Sequence, residues 1–152
     1  MIDDANAPSR RRLRASVASL AIAALFAGSV LVTANANARS EEVERAPSGV
    51  SYVSGGAGTE AVDRLKAMER DFNLKLVFAT PSGEYLSDVR VVTTDARGAP
   101  LLDAYSEGPL LLAKLPPGTY RVNADFEGQP KDRTVTVNTG RLATLGFTWA
   151  SN

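Results

Sequence analysis

From Asn73 onward the apolar residues recur at every second position, and turn-forming residues interrupt them at intervals of about 10 to 15 residues. That period constrains the fold more than any other feature of the chain, because it allows half-buried strands and leaves no room for helices between them. Leu74, Leu76 and Phe78 alternate in the first run, and Pro81-Ser82-Gly83 ends it. Val89 and Val91 form the inward pair of a strand placed at Glu84 to Asp95, followed by a turn at Ala96-Arg97-Gly98. Leu101 to Glu107 is a polar-edged strand, and Gly108 joins it to a run in which Leu110 and Leu112 share a face and Leu115 closes the series. Tyr120, Val122 and Ala124 alternate on the return. Between these two runs Pro116-Pro117-Gly118 reads as a tight type II hairpin turn, with Pro117 fixing φ and Gly118 supplying φ > 0. Gly128-Gln129-Pro130 then separates Tyr120–Phe126 from Arg133–Val137, and Leu142 to Trp149 places Leu145, Phe147 and Trp149 on one face. Seven short strands at this spacing predict a mainly β fold, a seven-stranded antiparallel β-sandwich.

Before this region the period is helical. Thr59 reads as an N-cap, and Val62, Leu65, Met68 and Phe72 make one apolar stripe opposite Asp63, Arg64, Lys66, Glu69 and Arg70. The preceding Ser54-Gly55-Gly56-Ala57-Gly58 lets the chain turn into the helix. No lysine followed by serine or threonine comes after the glycines, so a phosphate loop is not indicated. Val50 and Tyr52 suggest a short strand within residues 49–53. The domain plan is therefore a short strand, glycine-rich turn and helix over 49–72, then the sandwich over 73–152. The amphipathic helix is expected to cover an open end or edge of that sandwich.

Residues 1–38 read as an export leader. Ser9 to Arg14 is basic, Val17 to Val32 is an apolar run of 16 residues, and Ala36-Asn37-Ala38 has the small-x-small pattern of a cleavage site, placing the mature N-terminus at Arg39. The run is shorter than the ~20 residues of a spanning helix, which favours cleavage over a retained anchor. Arg10-Arg11-Arg12 partly matches a twin-arginine signal, but no cofactor motif follows, and ordinary secretion is preferred. Residues 39–48 are charged and read as a solvated linker.

Composition narrows the chemistry. The 152-residue chain has no histidine and no cysteine, which excludes thiol nucleophiles, disulfides, Ser-His-Asp triads and zinc sites built on these residues. The leader holds Arg10, Arg11, Arg12 and Arg14 with Asp3 and Asp4, so 13 of the 17 basic and 15 of the 17 acidic residues remain beyond it. Such a balance gives no case for nucleic acid. Calcium-loop and Ser-x-x-Lys patterns are absent, so no catalytic residue, metal site or cofactor is expected.

Val89 and Val91, Asp95 and Gly98, Gly108 with the leucines after it, and Leu115-Pro116-Pro117-Gly118-Thr119-Tyr120-Arg121-Val122 together resemble the carboxypeptidase regulatory-like domain. That resemblance, over residues 73–149, implies a transthyretin-like sandwich and no catalytic residues. The leader, Tyr52-Val53-Ser54-Gly55-Gly56 and the helix are similar to those of small exported proteobacterial proteins consisting of this domain alone, with no assigned activity. Hydroxyisourate hydrolases share the implied fold but depend on histidines, which this chain lacks. The expectation is a non-catalytic module of the Gram-negative periplasm or of the secreted fraction, monomeric or weakly oligomeric, with no membrane span after cleavage. Its partner is a protein, or alternatively an envelope glycan held on exposed aromatics. Tyr52, Gly55, Gly56, Gly58, Tyr85 and Tyr105 are the candidate contact residues; Trp149 and Tyr120 are assigned to the core and the turn.

Overall fold

A computed structural model describes residues 41–150, so the expected leader over 1–38 and the cleavage residues Ala36, Ala38 and Arg39 lie outside the described residues. The described residues are mainly β and form two sheets with one α-helix. Its strands are Glu44–Arg45 (β1), Ser51–Gly55 (β2), Leu74–Ala79 (β3), Arg90–Asp95 (β4), Pro100–Tyr105 (β5), Leu110–Lys114 (β6), Gly118–Phe126 (β7), Gln129–Val137 (β8) and Ala143–Thr148 (β9). Helix α1 spans Thr59–Met68 and runs into a 3-10 turn at Glu69–Asp71. A five-stranded sheet has the order β1-β2-β6-β3-β9, and a four-stranded sheet the order β5-β4-β7-β8.

The strand pairing corrects the expected hairpin. β6 pairs with β2 and β3, whereas β7 pairs with β4 and β8, so Leu115-Pro116-Pro117 carries the chain from one sheet to the other. The burial demands of the two strands differ. Leu110, Leu111, Leu112 and Ala113 are all buried, so β6 needs cover on both faces, while β7 alternates buried Tyr120, Val122 and Ala124 with more exposed polar residues. Two prolines without N–H groups also cannot extend a ladder. Gly118 is not left-handed; it opens β7 opposite Val137. Tyr120 Oη donates to Pro116 O at 2.5 Å and pins this crossing.

The sheets are also not wholly antiparallel. β3 and β9 run parallel, from Leu74 opposite Ala143 to Ala79 opposite Thr148. The chain reaches β9 from β8 in the other sheet, and that passage replaces the long crossover that parallel neighbours require. Regular strand begins only at Arg90 in the segment expected to start at Glu84; Tyr85 makes a single bridge to Ala79.

Between the sheets lie Leu74, Leu76, Phe78, Leu111, Phe147 and Trp149 from one side, and Val91, Leu102, Tyr120, Val122 and Val135 from the other. A second cluster forms on the outer face of the five-stranded sheet, where Leu65 of α1 and Phe72 meet Val53, Leu110 and Leu112, flanked by Val62, Met68 and Val77. The helix therefore covers a sheet face, not an end or edge, and Leu110 and Leu112 face it while Leu111 and Ala113 face the sandwich. Burying each such side chain contributes about 1.5 to 3 kcal/mol. Gly58, not Thr59, holds the N-cap position, and its carbonyl accepts from Val62 N–H at 3.1 Å. Residues 41–48 are more than a linker: β1 adds to β2, and Ala46 is buried.

Candidate functional site

Strands β2, β3, β5 and β7 all arrive at one end of the sandwich, so the links that follow them gather there. These are Gly56–Gly58, the long segment 80–89, Ser106–Pro109 and the turn at Glu127–Gly128. Rigid strands carrying clustered loops at one end form a general arrangement for recognition.

Two buried serines tie this end together. Ser54 Oγ accepts from the Glu107 N–H at 3.0 Å, and Ser106 Oγ accepts from the Val89 N–H at 3.1 Å. The Asp88 N–H donates to Ser106 O at 2.8 Å, and Asp88 itself is left-handed, with φ 58°. Both hydroxyls serve backbone amides, which fixes the segment after Tyr105 against β2 and β4.

A cleft of about 430 Å³ opens beside them, lined by Glu41, Ser54 to Ala57, Ala61, Arg64, Asp88 and Tyr105 to Glu107. Glu41 is nearly buried, at 5% side-chain exposure, and receives Arg64 Nε at 2.6 Å and Nη2 at 3.4 Å. The Arg64 hydrogen bonds hold this carboxyl below its usual range, and the Gly56 N–H adds to them. Gly55 makes the approach possible, since a Cβ there would lie 2.8 Å from Glu41 Cγ. The cleft thus joins three carboxylates, one guanidinium and a phenol. Among the described residues no group of three or more acidic residues is placed to hold a metal ion, and no helix is long and apolar enough to cross a membrane.

The structure brings Gly55, Gly56 and Tyr105 together at this cleft. Gly58 follows at the start of α1. Tyr85 stands on segment 80–89 at the same end, and both it and Tyr105 are about two-thirds exposed, at 65% and 64%. Tyr52 is elsewhere: its hydroxyl donates to Glu44 at 2.7 Å, and burial, reinforced by that carboxylate, pushes the phenol up to about 12. Pro116, Pro117, Gly118 and Tyr120 lie at the opposite end, and Trp149 is buried, donating Nε1–H to Gln129 O at 2.7 Å. Sequence reasoning missed Glu41 and Arg64, one assigned to a linker and the other to a solvated helix face. The adjacent glycines closing β2 were the available signal, since they leave space for another side chain. A scan of protein-family models and a search of curated proteins find no match to this chain.

Proposed function

We propose that the chain is an exported, non-catalytic binding module of the cell envelope that engages a protein partner through the loop end of its sandwich. One observation carries this reading: two exposed tyrosines, Tyr85 on the 80–89 segment and Tyr105 closing β5, stand at the same end, which the buried Ser54 and Ser106 hydroxyls brace. Tyrosine offers large contact area at low conformational cost, which suits it to protein recognition. The leader pattern supports a periplasmic or secreted location. The carboxypeptidase regulatory-like, transthyretin-like assignment belongs to the same proposal, and the division of β3 to β9 into three strands in one sheet and four in the other supports it. A second reading, glycan binding, draws on Tyr105 at the cleft wall, where a sugar ring could stack.

The test is recovery of the full chain from the periplasm after cross-linking, with mass spectrometry of what accompanies it, for the native sequence and for Tyr85→Ala combined with Tyr105→Ala. The proposal expects a protein partner that the double variant loses while its melting curve is unchanged. Retention of the same partner overturns the tyrosine surface, and capture on a glycan array that depends on Tyr105 selects the second reading.

A further inference from the structure

The two sheets present four edges, and three of them are blunted. β1 is only two residues long. β5 begins at Pro100, and the Ser48 hydroxyl reaches the carbonyl of Leu101 on it. β8 carries Pro130, Lys131, Asp132 and Arg133. The fourth edge, β9, contains Ala143, Thr144, Leu145, Gly146, Phe147 and Thr148, with neither charge nor proline. Such devices are how proteins keep strand edges from pairing, and the residues of β9 supply none of them; among the described residues β9 has no strand partner beyond β3, although β8 lies near it.

Its free side is defined by the parallel ladder. Ala143 and Trp149 donate their N–H groups to Asn73 O and Ala79 O of the β3 side, at 2.9 and 3.1 Å. Alternation along the strand then points the backbone groups of Thr144, Gly146 and Thr148 away from β3, and these three residues are exposed. Beside this edge Lys131 Nζ lies 5.9 Å from the Trp149 ring and the Arg133 guanidinium 5.7 Å from the Phe147 ring. Both cations cross the open side of the sandwich from β8. Arg141 stands just ahead of β9, and none of the three has a carboxylate partner among the described residues.

We infer that β9 accepts an extended segment of a partner protein as an added antiparallel strand, and that the segment is acidic at its flanks. Charge decides the occupant. A second copy pairing β9 with β9 would bring its own Lys131 and Arg133 against these cations, whereas an acidic strand meets them with opposite charge. This surface is separate from Tyr85 and Tyr105 and does not depend on them.

The test titrates the isotope-labelled full chain with a synthetic ten-residue peptide of alternating threonine and valine flanked by glutamates. A second peptide carries lysines in place of the glutamates. Amide shifts and slowed exchange are expected at Thr144, Gly146 and Thr148, with the lysine peptide about five- to tenfold weaker at low salt. Gly146→Pro, which removes an outward N–H, abolishes binding. Because that change also risks the strand itself, Lys131→Gln with Arg133→Gln provides the second variant, expected to erase the preference between the peptides. Equal binding of the two peptides, shifts away from β9, no shifts at all, or self-association through β9 would each overturn the inference.

Discussion

The outer faces of the two sheets are made of opposite materials. That of the five-stranded sheet is apolar where β2 and β6 present Val53, Leu110 and Leu112, and α1 lies on it. That of the four-stranded sheet is charged and faces water: Arg90 meets Asp103 through two bonds of 3.0 and 2.8 Å, and Arg121 and Asn123 both reach Asp132 at 3.2 Å. The contrast shows in the chain itself. A strand buried on both faces becomes a continuous run, Leu110-Leu111-Leu112-Ala113, and a strand wet on one face alternates, as from Thr119 to Ala124. One sheet needs a lid, and the other stabilises itself in solvent.

The largest effect should follow from removing that lid. A protein beginning at Asn73 lacks β1, β2 and α1, leaving Leu110 and Leu112 in water and one side of β6 unpaired; it should aggregate or melt without cooperativity. A soluble, cooperative melt would mean that the outer face needs no cover. Single substitutions sharpen the same contrast. Leu112→Ala under the helix should lower stability by about 2 to 5 kcal/mol, while Arg121→Ala on the solvated face should cost under ~1 kcal/mol, both read from denaturant midpoints. Comparable losses would remove the distinction.

Inside the sandwich, Thr93 of β4 is fully buried between Leu102 and Val122, and its hydroxyl has no hydrogen-bond partner among the described residues. Thr93→Val should therefore raise stability by about 1 kcal/mol, since an unsatisfied buried hydroxyl is replaced by a methyl of similar size. A fall in melting temperature would point to a partner for that hydroxyl.

The smallest effect concerns acid. Arg64 holds the Glu41 carboxyl below its usual range in the folded protein, so this group favours folding above the unfolded carboxylate value, ~4.3, and the benefit is lost as pH falls through the folded value. With Arg64 half exposed, solvent screens the pair and keeps its contribution small. Glu41→Gln should lower stability slightly at neutral pH and make its decline in acid shallower. Asp103 and Asp132 are lowered by their own partners, so some acid sensitivity should persist. An unchanged acid limb would mean that the pair does not bind helix to N-terminal segment in solution.

Much of the β content was legible because period two reports one-sided burial directly, as at Leu74, Leu76 and Phe78. Sheet membership was not. The prolines and Gly118 fit a hairpin turn locally, and only the different cover required by β6 and β7 separates the two strands. Among the described glycines the strongest steric demand falls on Gly108, where a Cβ would lie 2.3 Å from Gly55 O, a contact made between segments distant in sequence. The same limit hid the candidate site. Glu41 and Arg64 are 23 positions apart, and no periodicity reports their meeting. Tyr85 and Tyr105 stayed among the candidates because, unlike Trp149 and Tyr120, no alternation or turn assigned them a structural role.

The parallel pairing of β3 with β9 also governs how the molecule must assemble. Leu74 meets Ala143 only after nearly the whole sandwich has been made, and closing so long a loop must precede any gain from the contact. The neighbouring β7–β8 pair forms from adjacent segments and lacks that delay. The four-stranded sheet, with its local hairpins, is therefore set to order early, while the five-stranded sheet waits for its last strand. High contact order of this kind slows folding. During synthesis Phe78 lacks Phe147 and Trp149, its aromatic neighbours in the finished core, until β9 has emerged.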